Sequence, residues 1–204
     1  MYGTLHGRQL AGETSADGKY RTGGFRLFFR RARLPNGGGV LGRGSGIFPA
    51  AHQTAVCQAE KEEREQKMKI RAPQKLKSLG LIRTTPFPGF PTDAQAPLMA
   101  VAAVSEGITV FSENIFESRY KHVGEFIRLG ADIKVEGKVA VVEGVKKLYS
   151  APLCAKDLRG SAALVVAGLA AEGTTEIDTT EYLERGYEDL DVVLKNLGAS
   201  VSKI

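Results

Sequence analysis

The sequence predicts an α/β fold in which two copies of one unit, each made of a helix, a strand, a second helix and further strands, pack side by side. One observation is an internal repeat at a spacing of about 66 residues, in which Glu106-Gly107 recurs as Glu172-Gly173 and Leu129-Gly130-Ala131 recurs as Leu197-Gly198-Ala199. Another is that the stretches 94–105 and 161–171 are alanine-rich and apolar on every side, which is typical of buried helices. We therefore expect helices inside and sheets outside, an inverted α/β arrangement.

Each copy repeats the same elements in the same order. The glutamate and glycine after each buried helix indicate a helix C-cap. A short β-branched strand follows (108–113 and 174–178), and then a second, amphipathic helix (119–129 and 186–197). In the first copy, residues 132–144 alternate like a hairpin that turns at Glu136-Gly137. The spacing exceeds that of solenoid repeats, so it favours a duplicated unit over a stacked array.

The first buried helix follows a segment stiffened by three prolines, Pro86, Pro88 and Pro91. Proline fixes φ near about −65° and holds the preceding residue extended, so the chain reaches Asp93 as a rigid segment. Thr92 or Asp93 can then act as the N-cap of a helix that begins at Ala94. An N-cap role and a chemical role for Asp93 both remain open on spacing alone.

The first third of the chain differs in composition from the rest. Residues 1–67 hold eleven Lys and Arg against six Asp and Glu, which accounts for the whole net charge of +5. The run 25–46 mixes arginine, aromatic residues and glycine, and it lacks the spacing of a phosphate-binding loop. We expect a poorly ordered basic segment with a short charged helix at 59–67, and a folded part from about Met68 onwards.

Several classes of protein are not indicated by the sequence. It holds no apolar stretch of the roughly eighteen residues that span a membrane and no signal-peptide pattern, so we expect a cytoplasmic protein. Cys57 and Cys154 lie far apart and give no disulfide framework, and with the three histidines they form no metal-ligand spacing. We expect no metal. Cys154 is either a small buried residue or a reactive thiol, and His122 is expected at the surface or at the boundary of the core.

Charged residues recur at matching places in the two copies. Asp93 and Asp157 begin the buried helices, while Arg119 and Arg185 lie near the turns from strand to helix. Arg159 follows two residues after Asp157. Helix N-termini attract anions, so arginines gathered there predict a phosphate or carboxylate site. Asp–Arg pairs that only connect adjacent loops are the alternative.

The folded part resembles a known family of enzymes, the UDP-N-acetylglucosamine 1-carboxyvinyltransferases, which are enolpyruvyl transferases. The segments that carry the resemblance are "PFPGFPTDAQA" (86–96), "FSENIFESRYKHVGEFIRLGADI" (111–133), "AKDLRGSAALVVAGLAAEG" (155–173) and "ERGYEDL" (184–190). The family's fold has two domains, each of three α/β units with the helices inside. The resemblance therefore implies that residues 68–204 form the C-terminal part of such a domain, two of its three units, at about 86–148 and 152–204. Residues 1–67 resemble no part of the family.

The resemblance implies roles for individual residues. Asp93 matches the residue that contacts the sugar 3-hydroxyl and acts as the general base. Ile115 and Phe116 match positions that touch the nucleotide sugar, and Arg185 matches a residue that binds phosphoenolpyruvate. Three residues match positions that line the same cleft, without individual roles: Arg119, Asp157 and Arg159. No cofactor is implied.

The implied reaction transfers the enolpyruvyl group of phosphoenolpyruvate to the 3-hydroxyl of UDP-N-acetylglucosamine, the first committed step of peptidoglycan precursor synthesis. The family's catalytic cysteine lies in a glycine-rich loop of the other, N-terminal domain, which has no counterpart in this sequence. We therefore expect the chain to be truncated and inactive alone. The alternative is a non-catalytic fragment, or a nucleic-acid-binding module that uses the basic segment 1–67.

Overall fold

The structure is a computed structural model that describes residues 27–30, 58–62, 67–71, 73, 75–178 and 181–203. Three strands come first in the chain: β1 (Leu27–Arg30), β2 (Gln58–Glu62) and β3 (Lys67–Arg71). Strands β2 and β3 form an antiparallel two-stranded sheet whose register sets Glu60 opposite Lys69 and Glu62 opposite Lys67. The prediction of a helix at 59–67 is therefore wrong for the residues that belong to β2 and β3. A run of alternating opposite charges suits an antiparallel strand pair as well as a helix, because opposite charges can face each other across the strands.

The first repeated unit is a four-stranded sheet with two helices. Its elements are β4 (Leu81–Arg83), α1 (Thr92–Ala102), β5 (Ile108–Ser112), α2 (Val123–Arg128), β6 (Asp132–Glu136) and β7 (Val139–Glu143). The strand order is β4-β5-β7-β6, in which only β4 and β5 are parallel. Strands β6 and β7 form the predicted hairpin, and Gly137 adopts a φ of 55° at its turn.

The second unit has the same plan, completed by a strand from the start of the chain. Its elements are β8 (Pro152–Cys154), α3 (Leu158–Ala170), β9 (Thr174–Asp178), α4 (Glu181–Glu184), α5 (Leu190–Asn196) and β10 (Ser200–Lys203). The strand order is β10-β1-β9-β8. Strand β1 is antiparallel to both β9 and β10. It takes the place in this sheet that β7 takes in the other.

The backbone confirms the repeat in detail. The N–H of Glu106 donates to the carbonyl of Leu76 at 2.8 Å, and the N–H of Glu172 donates to the carbonyl of Leu148 at the same distance. The glycines that follow these glutamates have φ angles of 100° and 101°. Helices α1 and α3 end earlier, at Ala102 and Ala170, so the expectation that Glu-Gly forms the C-cap is wrong. The glycine instead turns the chain into the next strand, at a positive φ that favours glycine.

The core lies between the two units. Helices α1 and α3 pack against each other, and one apolar cluster joins both units. Met99 on α1 and Leu164 on α3 are both buried, as are Phe111 on β5 and Ile177 on β9. Alanines on both helices let the two backbones approach closely. The helices are therefore inside and the sheets flank them, which confirms the inverted α/β arrangement.

The second helix of each unit is shorter than the sequence predicts. In place of 119–129 the structure has only α2, and in place of 186–197 it has α4 and α5 with a break between them. Asp189 adopts a left-handed φ of 44° in that break, and Gly186 lies against Leu158.

The prediction that segment 1–67 is poorly ordered falls, outside β1, β2 and the first residue of β3, on residues that are not among those described. No helix among the described residues is long and apolar enough to cross a membrane.

Candidate active site

The proline-rich segment delivers Asp93 to the first turn of α1. The helix begins at Thr92, its N-cap is the extended Pro91, and no side chain caps it. The N-cap prediction for Thr92 or Asp93 is therefore wrong. The Thr92 hydroxyl instead donates to Glu113 at 2.9 Å, and the Asp93 carboxylate points to other partners.

Two arginines from different units hold the Asp93 carboxylate. Arg119 Nη2 donates to Oδ1 and Arg159 Nη2 donates to Oδ2, each at 2.6 Å. The Asp93 side chain is 55% exposed, while those of Arg119 and Arg159 are 21% and 31% exposed. Arg159 lies in the first turn of α3, so both helix N-termini meet at this cluster. Aligned N–H groups there favour anions, which suits a carboxylate or a phosphate.

The two arginines set the charge of Asp93. The hydrogen bond from Arg159 lowers the pKa of Asp93, partial desolvation opposes this shift, and the charges of Arg159 and Arg119 add to the lowering. In return, the bond with Asp93 raises the pKa of Arg159. Asp93 is therefore an anion at neutral pH, and its basicity is reduced while both arginines are bound.

The loop after β5 lies beside this cluster. The Arg119 guanidinium stands over the Phe116 ring, 4.9 Å from its centre, as in a cation–π contact. Ile115 and Phe116 are 39% and 48% exposed. Their backbone N–H groups both donate to the carboxylate of Glu113. The structure thus brings Asp93, Arg119 and Phe116 into one contiguous group.

Asp157 and Arg185 are arranged differently from Asp93 and Arg119. Asp157 is the N-cap of α3, and its Oδ1 accepts the N–H of Gly160 at 2.8 Å. Arg185 follows α4, is exposed, and its side chain makes no ion pair within the described ranges. Gly186, the next residue, lies against Leu158 at the start of α3. The chain just after Arg185 therefore borders the Asp93 cluster, although the Arg185 side chain is not bound to it.

A cavity with a volume of about 330 Å³ lies between the α4–α5 turn and β10. Its walls carry four acids and a single lysine: Glu184, Glu188, Asp189, Asp191 and Lys203. An acidic cavity does not suit an anionic ligand. The cluster of Asp93 with its two partly exposed arginines is the better candidate site.

The sequence did not predict the positions of two residues near the site. Glu113 is buried at the end of β5, and a lone glutamate there gave no signal. His122 is 2% exposed, so its expected place at the surface or boundary is wrong. It packs edge-on against Phe126, and burial lowers its pKa to about 4. His122 is therefore neutral at neutral pH.

Cys154 and the other possible ligands form no metal centre in the part of the chain that the structure describes. Cys154 itself is exposed and forms no disulfide. Its backbone N–H donates to Glu125 at 3.2 Å. The chemistry that this site offers is therefore that of a carboxylate and of guanidinium groups.

The sequence of the chain is similar to that of known enolpyruvyl transferases. A model of the EPSP synthase (3-phosphoshikimate 1-carboxyvinyltransferase) family matches residues 47–194. A UDP-N-acetylglucosamine 1-carboxyvinyltransferase from Trichlorobacter lovleyi is 53% identical over 137 residues, which cover 67% of this chain and 32% of that protein. The same-named protein from Geobacter metallireducens is 48% identical over 141 residues, 69% of this chain and 34% of that protein. The chain thus spans about a third of the length of these relatives.

Solved structures show the same fold. The enolpyruvyl transferase NikO from Streptomyces tendae aligns with a TM-score of 0.67 at 27% identity, over 74% of this chain and 35% of NikO. The EPSP synthase from Acinetobacter baumannii aligns with a TM-score of 0.63 at 18% identity, over 84% of this chain and 44% of that protein, which shows the fold alone. Because the family model matches well over half of its residues, the chain belongs to the EPSP synthase family of enolpyruvyl transferases.

Proposed function

We propose that this chain carries half of the active site of an enzyme that transfers the enolpyruvyl group of phosphoenolpyruvate to the 3-hydroxyl of UDP-N-acetylglucosamine. The reaction would serve peptidoglycan precursor synthesis in the cytoplasm. The observation that carries the proposal is the Asp93 carboxylate held between Arg119 and Arg159 where two helix N-termini meet. Relatives about half identical to the chain bear the name of this activity.

Asp93 would act as the general base for the sugar hydroxyl. The hydroxyl oxygen bonds to C2 of phosphoenolpyruvate, its proton passes to Asp93, and C3 of phosphoenolpyruvate gains a proton. Loss of that C3 proton and of phosphate then restores the double bond in the product. A base works best when its pKa is near the operating pH, and the arginines lower that of Asp93.

The arginines give a physical reason for using both substrates together. Phosphoenolpyruvate carries a carboxylate and a phosphate, which compete with Asp93 for guanidinium groups. As Arg119 and Arg159 turn to the substrate, Asp93 loses the contacts that lower its pKa, and its basicity rises. Arg185, exposed and without an ion pair among the described residues, would complete the anion clamp. Ile115 and Phe116 would contact the nucleotide sugar.

The site in this chain would be incomplete. The chain spans about a third of the length of its relatives, and the reaction also needs an acid for C3 and exclusion of water. We expect the other domain of the family's fold to supply these. The chain alone would then bind substrate without turning it over.

Calorimetric titration of the full 204-residue chain tests the proposal. We expect Asp93→Ala to weaken binding of UDP-N-acetylglucosamine about tenfold, or about 1.4 kcal/mol, because the hydroxyl loses its acceptor. The same change should leave phosphoenolpyruvate binding as tight or tighter, since it frees two arginines. Asp132→Ala, at the exposed start of β6, is the matched control. Equal weakening by both variants, or no binding of the sugar nucleotide by the unaltered chain, would count against the proposal.

A further inference from the structure

Glu113 is a buried carboxylate that no step of the proposed reaction uses. It follows β5 directly and is 1% exposed. Within the part of the chain that the structure describes, it forms no ion pair with a lysine or arginine. A buried carboxyl group without a cationic partner needs hydrogen bonds to its oxygens, so the partners of Glu113 indicate which segments it holds together.

Four donors satisfy the carboxylate of Glu113. Its Oε1 accepts the Thr84 hydroxyl at 2.9 Å and the backbone N–H groups of Ile115 and Phe116 at 2.8 and 3.0 Å. Its Oε2 accepts the Thr92 hydroxyl at 2.9 Å. The Thr84 hydroxyl in turn accepts the N–H of Asn114 at 2.8 Å. One carboxylate therefore fixes both the loop at 114–116 and the start of α1.

These bonds reach Asp93 from two sides. Thr92 directly precedes Asp93 in the first turn of α1. On the other side, Phe116 lies under the Arg119 guanidinium, which donates to Asp93 at 2.6 Å. We name the closed circuit from Glu113 through Thr92, Asp93, Arg119 and Phe116 back to Glu113 the Glu113 ring.

We propose that Glu113 is a positioning residue that keeps Asp93 and the loop of Ile115 and Phe116 at a fixed separation, so that one nucleotide sugar contacts both. The contact with a nucleotide sugar rests on the proposed function, whereas the hydrogen bonds that hold Asp93 and the loop do not. The shape of a carboxylate suits the task, because its two oxygens accept from different segments. Glutamine keeps that shape, whereas alanine removes every acceptor.

The test follows Asp93, a residue that Glu113 does not touch, in the full chain. We expect Glu113→Ala to speed amide hydrogen exchange at Ile115 and Phe116 about tenfold or more. It should also shift the NMR titration of the Asp93 carboxyl carbon to higher pH. The reason is that the Phe116 side chain moves away from Arg119, whose hydrogen bond to Asp93 then weakens. Glu113→Gln should change both readouts much less. Asp132→Ala, which removes an exposed carboxylate at the start of β6, should leave both unchanged.

A second pair of variants covers the case in which Glu113→Ala does not fold. Thr92→Val removes the hydroxyl that joins α1 to Glu113, and Thr92→Ser retains a hydroxyl there. We expect the valine variant alone to speed exchange at Ile115 and Phe116. Faster exchange at those amides with an unchanged Asp93 titration in Glu113→Ala would overturn the proposal, because Glu113 would then fasten only its own loop.

Substrate binding separates this inference from the proposed function. We expect Glu113→Ala to weaken UDP-N-acetylglucosamine binding about fivefold or more, and Glu113→Gln to restore most of it. Unchanged affinity in Glu113→Ala would overturn the positioning role. If the unaltered chain binds no sugar nucleotide, the proposed function fails, and the Asp93 titration still decides whether Glu113 sets the position of Asp93.

Discussion

The carboxylate of Asp93 is shared by guanidinium groups from the two repeated units. Arg119 belongs to the first unit and Arg159 to the second, and each donates to a different oxygen at 2.6 Å. All three side chains keep contact with solvent, so the pairs add little to the free energy of unfolding. The main effect of these ion pairs is to lower the pKa of Asp93 and so to reduce its strength as a base.

The two arginines should contribute unequally to the titration of Asp93. The hydrogen bond from Arg159 is the largest cause of the lowered pKa, and Arg119 contributes less. We expect Arg159→Gln to raise the pKa of Asp93 more than Arg119→Gln does, as measured by carbon-13 NMR of the carboxyl group. A larger shift in Arg119→Gln would show that the cleft is arranged differently in solution.

His122 should make the stability of the fold depend on pH. Its folded-state pKa is about 4, below the ordinary value of 6.5, because burial outweighs the nearby Asp157 and Arg119 adds to the lowering. The unfolded chain therefore takes up the proton first, so stability is complete above about pH 6.5 and falls as the pH drops towards 4. The loss should approach roughly 3 kcal/mol at pH 4.

Urea denaturation at a series of pH values measures this dependence. We expect His122→Leu, which has no titrating group, to flatten the decline between pH 6.5 and pH 4 relative to the unaltered chain. The comparison between the two proteins removes the contribution of carboxylates, which both share. Parallel curves for the two proteins would mean that His122 is accessible to protons in the folded state.

At the scale of elements, sequence patterns predicted the turns and the hairpin, whose conformation depends on residues close together in the sequence. The hairpin of β6 and β7 follows from the alternation of apolar and polar residues and from a glycine at the turn. In the repeated Glu-Gly and Leu-Gly-Ala motifs, the glycine has nearly the same positive φ in both copies. The N-cap at Thr92 failed because the preferred partner of its hydroxyl, Glu113, lies 21 residues away. Glu113 itself had no signal, since its four partners come together only in the folded chain. The burial of His122 likewise depends on packing between units.

Two glycines should respond to alanine in opposite ways. A Cβ at Gly144, directly after β7, would overlap the carbonyl oxygen of Ser105, so the backbone must move. A Cβ at Gly124 in α2 would meet nothing within 4 Å. We expect Gly144→Ala to cost about 3 kcal/mol or more of unfolding free energy, and Gly124→Ala to add about 0.5 to 1 kcal/mol.

Chemical denaturation of both variants decides this prediction, with each serving as the control for the other. A small effect at Gly144 would mean that the connection between α1 and β5, where Ser105 lies, can shift at little cost. A loss at Gly124 would mean that α2 does not form as a helix in solution.

At the scale of the whole molecule, the two units bring the N-termini of α1 and α3 to one cluster, that of Asp93, Arg119 and Arg159. Neither unit holds the site alone, because Asp93 and Arg119 lie in the first and Arg159 in the second. The repeat and the inverted α/β layers could be predicted from the sequence, because they depend on periodic patterns. The insertion of β1 between β9 and β10 could not be predicted, since nothing in a four-residue strand indicates which distant strands it will join.

The central claim is that Asp93 is the base of a half-site for enolpyruvyl transfer. A chimaera tests it, in which this chain's matched residues replace the corresponding 137-residue stretch of the Trichlorobacter lovleyi relative. The measurement is phosphate release from phosphoenolpyruvate with and without UDP-N-acetylglucosamine. We expect release that requires the sugar nucleotide, a loss of about 10²- to 10⁴-fold in Asp93→Ala, and none from the 204-residue chain alone. Full release by the Asp93→Ala chimaera, or turnover by the chain alone, would contradict the claim.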